Sequence, residues 1–553
     1  MRQFCGEKNI TFWTHYLSFI KPNSMSEDVL VFIGLSAPIS FLLVALYSWF
    51  EPGIKPLKTI FFAQIASIIS MLAALICAFG VYQYGYFTSE TLGINELGLS
   101  IRFDALSVLM MNMIAILSFF IIKFSINYLD GDAKHGAFIG RLAATFATVF
   151  LLVTAGNLGL LFLAWVMASV TLHRLLIFYP ERITAQNAAK KKFILARLGD
   201  ACLLIAILLL YKAFGSGDFQ LIFESIQSGA FMISWQIEVA ALFLALAAVL
   251  KSAQFPTHGW LVEVMETPTP VSALLHAGLL NAGPFLIIRM AYVLDVSTVA
   301  PLFLIFLGGF TAIFASIAYM TQTSVKTALG YSSVGHMGFS LMLGGLGVYA
   351  AGMLHLVAHS FYKAHAFLST GSVIDRVKIA RVGKLPKKVK LWKVLLGLCL
   401  AILMYTGFAL LWGIEFDKEL SLLLVGAVIS LGLTRILTDA ISTAWNPKLI
   451  LQAIILASVV SLAFFSLESA MHHIIASQIP FLTTPSQAKL YLFGFILFFS
   501  IIAVIIQMIA PTLKSNPKYK AFAIHFRNGF YANALFDKLI GALDLNNSKS
   551  TKA

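Results

Sequence analysis

His355, His359 and Lys363 follow one another at spacings of i, i+4 and i+8. On an α-helix that spacing places all three on one face, roughly one turn apart. Such a file can pass protons, because histidine titrates near neutrality and desolvation can bring a lysine into working range. The plainer reading is three polar side chains satisfied by neighbouring helices. For one histidine that reading is the better one, whereas three ionisable groups in register favour function.

Five more ionisable residues, Asp200, Lys251, His276, Lys326 and His336, fall within or at the edge of apolar runs, with His173 and Arg174 nearer a helix end. A charge at mid-membrane costs about 2.5–3.5 kcal/mol on insertion scales, so each needs a reason. Lys251 closes the uncharged run Val239 to Leu250 and precedes Pro256. It is either a helix-end lysine reaching for the interface or a lysine beside a helix broken at mid-depth, a recurring device for ion sites. The polar stretch PTHGWLVEVMETPTPVSALLHAG that follows keeps an amphipathic helical pattern to Met265, which fits the second reading. Asp200 is either a carboxylate favoured by a helix N-terminus or the counter-charge of a buried lysine.

The elements that hold these residues must be transmembrane helices. Of the 553 residues, 59% are hydrophobic and only 12% are charged, and mean hydropathy is +0.87. Apolar runs long enough to cross a bilayer recur along the whole chain, about 15 in all. The expected class is an all-α polytopic membrane protein. Basic loops alternate with loops poor in Lys and Arg. Lys55 and Lys58, Arg182 with Lys190, Lys191 and Lys192, Lys326, the run Arg376 to Lys390, and Lys514 to Arg527 share one side. The positive-inside rule makes that side cytoplasmic, with the N-terminus outside and the C-terminus inside, which requires an odd number of spans. The net charge of +14 is then a matter of topology. Membrane lipids, or an acidic partner on the basic loops, are the expected contacts, and no nucleic acid is needed.

Several chemistries are disfavoured. Cys5, Cys77, Cys202 and Cys399 are scattered and form no CxxC pair, so iron–sulfur, haem and structural zinc sites are not expected. Neither GxGxxG nor GxxxxGK[ST] occurs, so nucleotide chemistry is not expected either. A transporter subunit without a cofactor of its own, and not an enzyme, is the expected reading.

The blocks KSAQFPTHGWLVEVMETPTPVSALLHAG, TQTSVKTALGYSSVGHMGF and MLHLVAHSFYKAHAFLSTGSV resemble the antiporter-like membrane subunits of respiratory complex I and the cation/proton antiporters. The resemblance spans roughly residues 100–375. It implies two inverted five-helix repeats, with a broken helix at least in the first. The expected division is an N-terminal segment 1–28, peripheral spans 29–135, a first repeat 136–293, a second repeat 300–437, C-terminal spans 449–511 and a cytoplasmic segment 512–553. By the same resemblance Lys251 is the central lysine of the first half-channel, and Asp200 is the acidic residue of the family's RxGD segment. Lys326, His355, His359 and Lys363, with His276 and His336, belong to the polar axis.

Two departures stand out. Val166 occupies the place of the family's usual glutamate after a tryptophan, and LWKVLLGLCLAILMYTGFALLWGIEF lacks the usual proline-rich break and charged residue. Both departures, together with LHRLLIFYPERITAQNAAKKKFILARLGD and HFRNGFYANALFDKLIGAL, resemble one branch, the membrane subunits (DabB type) of DAB-type inorganic carbon accumulation complexes. That resemblance implies a cation-conducting subunit (H⁺ or Na⁺) in a bacterial inner membrane. It also implies a large cytoplasmic partner of DabA type with a zinc site like that of β-carbonic anhydrases, which hydrates CO₂ to bicarbonate. A complex I-like ion-pumping subunit and a cation/proton antiporter subunit are the rival expectations.

Overall fold

The computed structural model describes residues 26–94, 97–229, 234–371, 389–415, 419–442, 447–513 and 516–543. The N-terminal segment, Arg376 to Lys388 of the basic run, Lys514 and the polar tail fall outside those residues.

The apolar runs become a bundle of long helices. In order these are α1 (Glu27–Tyr47), α2 (Leu57–Tyr84), α3 (Ala105–Tyr128), α4 (His135–Val153), α5 (Leu158–Leu176) and α6 (Ile183–Phe214). A short α7 (Phe219–Gln227) leads to α8 (Trp235–Lys251) and α9 (Gly259–Glu263). One interrupted span follows, made of α10 (Thr269–Ala277), α11 (Ala282–Arg289) and α12 (Ala291–Asp295). Then come α13 (Val299–Thr321), α14 (Val325–Leu346), α15 (Tyr349–Leu368), α16 (Leu391–Trp412), α17 (Leu420–Ser442), α18 (Pro447–Ile475) and α19 (Gln487–Leu513). The chain ends in α20 (Pro517–Arg527) and α21 (Ala532–Leu543).

Among the described residues, twelve helices are long and apolar enough to cross a membrane by length and composition. The sequence reading expects about fifteen. The difference is α8, α14 and α15, which are helical but carry the polar and ionisable residues, or stop early at Lys251. The expected end of the first repeat at 293 also falls inside α12, which runs to Asp295. Besides helices, the loop after α2 holds two small antiparallel pairs, Phe87–Thr88 with Arg102–Phe103 and Leu92–Ile94 with Leu97–Leu99.

Local chemistry sets the helix ends. Asp104 caps α3, accepting from Ser107 N at 2.9 Å while its own N–H donates to Ser107 Oγ at 2.7 Å. Asn157 caps α5, accepting from Leu160 N at 2.8 Å and donating to Gly98 O at 2.8 Å. At that same end Asp104 joins Arg102 (2.7 Å) and Arg289 (2.5 Å) in a fully buried ion cluster. It ties the α2–α3 loop to α11. In the body of the bundle, α13 and α14 meet at Gly308 and Gly338. A Cβ on Gly338 would lie 2.6 Å from the Gly308 carbonyl oxygen, so this approach needs two glycines.

The C-terminal segment packs on protein. Phe526 is buried and stacks with Phe314 of α13. Lys191 of α6 pairs with Glu263 of α9 (2.7 Å) and with Asp537 of α21, and Asn533 donates to Glu263.

Candidate functional site

The segment after α8 explains how a lysine is presented at mid-bundle. Pro256 lacks a donor and disfavours helix in the residue before it. Ala253 turns into the left-handed region at φ 52°, and regular helix resumes only at Gly259. Lys251 therefore stands in the last turn of α8, at the negative end of the helix dipole, where a cation is favoured. Its ammonium donates to Trp165 O (3.0 Å) and Ser169 Oγ (2.6 Å). It also lies 4.2 Å from the centroid of the Trp165 ring.

Asp200 is not the direct partner of Lys251. Its carboxylate meets Arg197 at 2.6 Å, three residues back on α6, and remains within Coulombic reach of Lys251 and Lys192. The neutral Val166 leaves the lysine on oxygen acceptors alone. The two departures from the family pattern thus have visible consequences. The lysine lacks a carboxylate in contact, and the segment expected to lack a break forms the continuous helix α16.

The histidines come together, His355 and His359 on one face as their spacing predicts and His336 through the packing of α14 on α15. His336 Nδ1 and His355 Nε2 are 3.2 Å apart. The His359 ring centroid lies 5.0 Å from that of His336 and 6.1 Å from that of His355. Lys363 is fully buried and donates to Leu329 O at 3.0 Å. His276, also fully buried, stacks on Phe367 at 4.4 Å and couples electrostatically to Lys363 and His359. Both ring nitrogens of His276 and of His359 have no hydrogen-bond partner among the described residues. Lys326 stands apart from this cluster. It is half-exposed at the start of α14 and, among the described residues, hydrogen-bonds to Thr269 Oγ1 at 3.4 Å.

Polar residues that sequence reasoning missed lie between the two groups. Ser252, next to Lys251, donates to Leu280 O at 3.3 Å. Asn281 donates to Ser360 Oγ at 2.7 Å, and Ser360 is the neighbour of His359 on α15. All three are fully buried. Gly283 makes room for this link, since a Cβ there would come within 2.0 Å of Ser252 Oγ. The available signal was a lone asparagine in the run LLHAGLLNAG. Lys191 and Lys192 were also missed as interior residues. They read as loop charges, but α6 already begins at Ile183 and both are buried. Among the described residues, no three His, Cys, Asp or Glu side chains are grouped so as to hold a metal ion. The assembly is a discontinuous line of ionisable groups in an apolar bundle.

Residues 155–415 match the family described as NADH:quinone oxidoreductase/Mrp antiporter, transmembrane, and residues 91–139 match complex I chain 5, N-terminus. The chain is 34% identical over 454 residues to "Probable inorganic carbon transporter subunit DabB2" of Halothiobacillus neapolitanus, covering 81% of each chain. It is 37% identical over 332 residues to the DabB subunit of the same description from Hydrogenovibrio crunogenus, covering 60% of this chain and 63% of that one. Its fold is similar to that of the Mrp complex from Dietzia, with a TM-score of 0.60 and 21% identity over 93% of this chain and 60% of that one. It is also similar to the archaeal membrane-bound sulfane sulfur reductase, with a TM-score of 0.56 and 18% identity over 92% of this chain and 99% of that one. The chain belongs to the antiporter-like membrane subunits of the complex I and Mrp family and is similar, within it, to DabB inorganic carbon transporter subunits.

Proposed function

We propose that this chain is the cation-conducting membrane subunit of an energy-coupled inorganic carbon pump. Ions run down their electrochemical gradient through Lys251 and the His276, His336, His355, His359 and Lys363 cluster. Their inflow drives one-way hydration of CO₂ to bicarbonate by a cytoplasmic zinc protein of the β-carbonic anhydrase kind, the DabA-type partner. The observation that carries this reading is a line of ionisable groups inside an apolar bundle, in a chain one third identical to a DabB2 subunit over most of its length. Two inverted repeats over 136–293 and 300–437, about fifteen spans, an outward N-terminus and an inward C-terminus in a bacterial inner membrane belong to the same proposal.

The test is co-expression with the neighbouring zinc protein in cells that lack carbonic anhydrase. Inorganic carbon should accumulate only when both chains are present. Collapsing the ion gradient should stop accumulation without dissociating the complex, and Lys251→Ala should abolish it while the protein still assembles. Unchanged accumulation under full uncoupling would refute the reading.

A further inference from the structure

Lys192 lies eight residues before Asp200 on α6 and is 5% exposed. Its ammonium donates to the backbone oxygen of Ser169 at 2.8 Å, while Lys251 donates to the hydroxyl of that same serine at 2.6 Å. Two lysines from different helices thus converge on one residue of α5. Lys251 also reaches Trp165 O, one turn back towards the end that carries the Asp104 cluster. Lys192 comes from the end where Lys191 meets Glu263 and Asp537. His173, one turn further along α5 towards that same end, is half-buried and electrostatically coupled to Lys192, and its Nδ1 has no hydrogen-bond partner among the described residues.

The charges around this junction do not balance if both lysines are protonated. Lys192, Lys251 and Arg197 would then face the single carboxylate of Asp200, which Arg197 already holds at 2.6 Å. Two ammonium groups sharing a serine in an apolar interior repel strongly. One shared proton relieves that repulsion and leaves the cluster with one charge fewer.

We infer that Lys192 is the relay through which protons leave Lys251 towards the basic end of the bundle, with His173 as the next acceptor, and that the ion handled at this junction is H⁺. The inference rests on the ion-conducting reading above and narrows it to one cation. In the transfer, one N–H bond of the Lys251 ammonium breaks and its proton bonds to the neutral Lys192 amine. Lys251 becomes the amine, Lys192 the ammonium, and the pair keeps a single charge throughout. Flexible four-carbon stems pivoting about Ser169 let the two nitrogens approach. A sodium ion would need oxygen ligands such as backbone carbonyls, whereas the oxygens that meet here, Trp165 O, Ser169 O and Ser169 Oγ, already accept from the two lysines.

The test is proton flux into proteoliposomes that hold the intact complex and a pH-sensitive dye, driven by an imposed potential, with wild type compared with Lys192→Arg, Lys192→Met and Lys251→Met. Arginine keeps the buried charge but cannot give up its proton. A relay therefore predicts that Lys192→Arg is as defective as Lys192→Met, each losing about a hundredfold in flux, while elution and thermal unfolding of the arginine variant match wild type. Wild-type flux from Lys192→Arg, with Lys251→Met inactive, would overturn the relay and leave the conducting subunit standing. Flux of Na⁺ alone in wild type would overturn the proton assignment, and absence of any ion flux in wild type would overturn the parent reading.

Discussion

The carboxylate of Asp200 meets the guanidinium of Arg197 at 2.6 Å and leaves the Lys251 ammonium on the oxygens of Trp165 and Ser169. The anion beside this lysine acts on it through space, and its strength is set by how firmly Arg197 holds it.

Asp200→Asn should therefore impair ion flux or bicarbonate accumulation more than Glu263→Gln. The first removes the anion beside Lys192, Lys251 and Arg197. The second loosens a contact with Lys191 at the edge, where Glu263 is partly exposed. Arg197→Leu added to Asp200→Asn should restore part of the lost flux, because it restores the charge balance. A double variant no better than the single one would show that Asp200 acts by its shape or its hydrogen bonding.

The histidine cluster predicts a contrast between two lysines. Lys363 is fully buried beside His276 and His359, and Lys363→Gln should reduce flux by about a hundredfold, the scale of a lost proton-transfer group. Lys326, half-exposed and 3.4 Å from Thr269 Oγ1, should tolerate the same change with a small loss. Measured flux through the two variants decides this, and equal defects would bring Lys326 into the path.

Much of this was legible in the residues. The i, i+4, i+8 spacing places His355, His359 and Lys363 on one face by geometry alone, and Pro256 after an apolar run marks the end of α8. His336 could be listed but not joined to His355, because only the packing of α14 on α15 brings their rings together. Lys192 was illegible for a different reason. Three consecutive lysines read as a loop, and nothing local says that α6 extends below them into the protein-covered end. Asp200 does not contact Lys251, since an arginine one turn away holds it at shorter range.

The loop 129–134 gives a pH dependence outside the spans. Burial by itself would raise the Asp132 carboxyl, but hydrogen bonds from Tyr179 Oη (2.5 Å) and Lys134 N (2.7 Å), with the neighbouring His135 and Lys134 charges, hold it below its ordinary value. A carboxylate depressed in the folded state contributes stability above its unfolded pKa of about 3.9 and loses it as pH falls through the folded value. The clasp between this loop and Tyr179 should thus be closed at neutral pH and open only in strong acid. Hydrogen exchange of residues 129–135 should quicken as pH drops below about 4, after correction for the intrinsic rate, and Tyr179→Phe should shift that transition upward. An unshifted transition in Tyr179→Phe would mean the tyrosine does not set the carboxylate.

The last prediction separates two roles of Asp104. Its carboxylate caps α3 through Ser107 N and also holds Arg102 and Arg289, which are 3% and 1% exposed. Asparagine is as good a helix cap as aspartate, so Asp104→Asn keeps the cap and removes the charge. Two guanidinium groups would then be buried without an anion, and losing one partner of a buried ion cluster costs about 3–5 kcal/mol. Ser107→Ala is the control, because it removes the hydroxyl that receives the Asp104 N–H and leaves the ion cluster whole, at a cost of about 1 kcal/mol. Thermal unfolding of the purified protein should fall well below wild type for Asp104→Asn and only slightly for Ser107→Ala. The far end of α11 should also gain hydrogen exchange in the first variant, since Arg289 would be released from the α2–α3 loop. Equal melting of the two variants would show that capping, and not the double arginine clasp, is what Asp104 contributes.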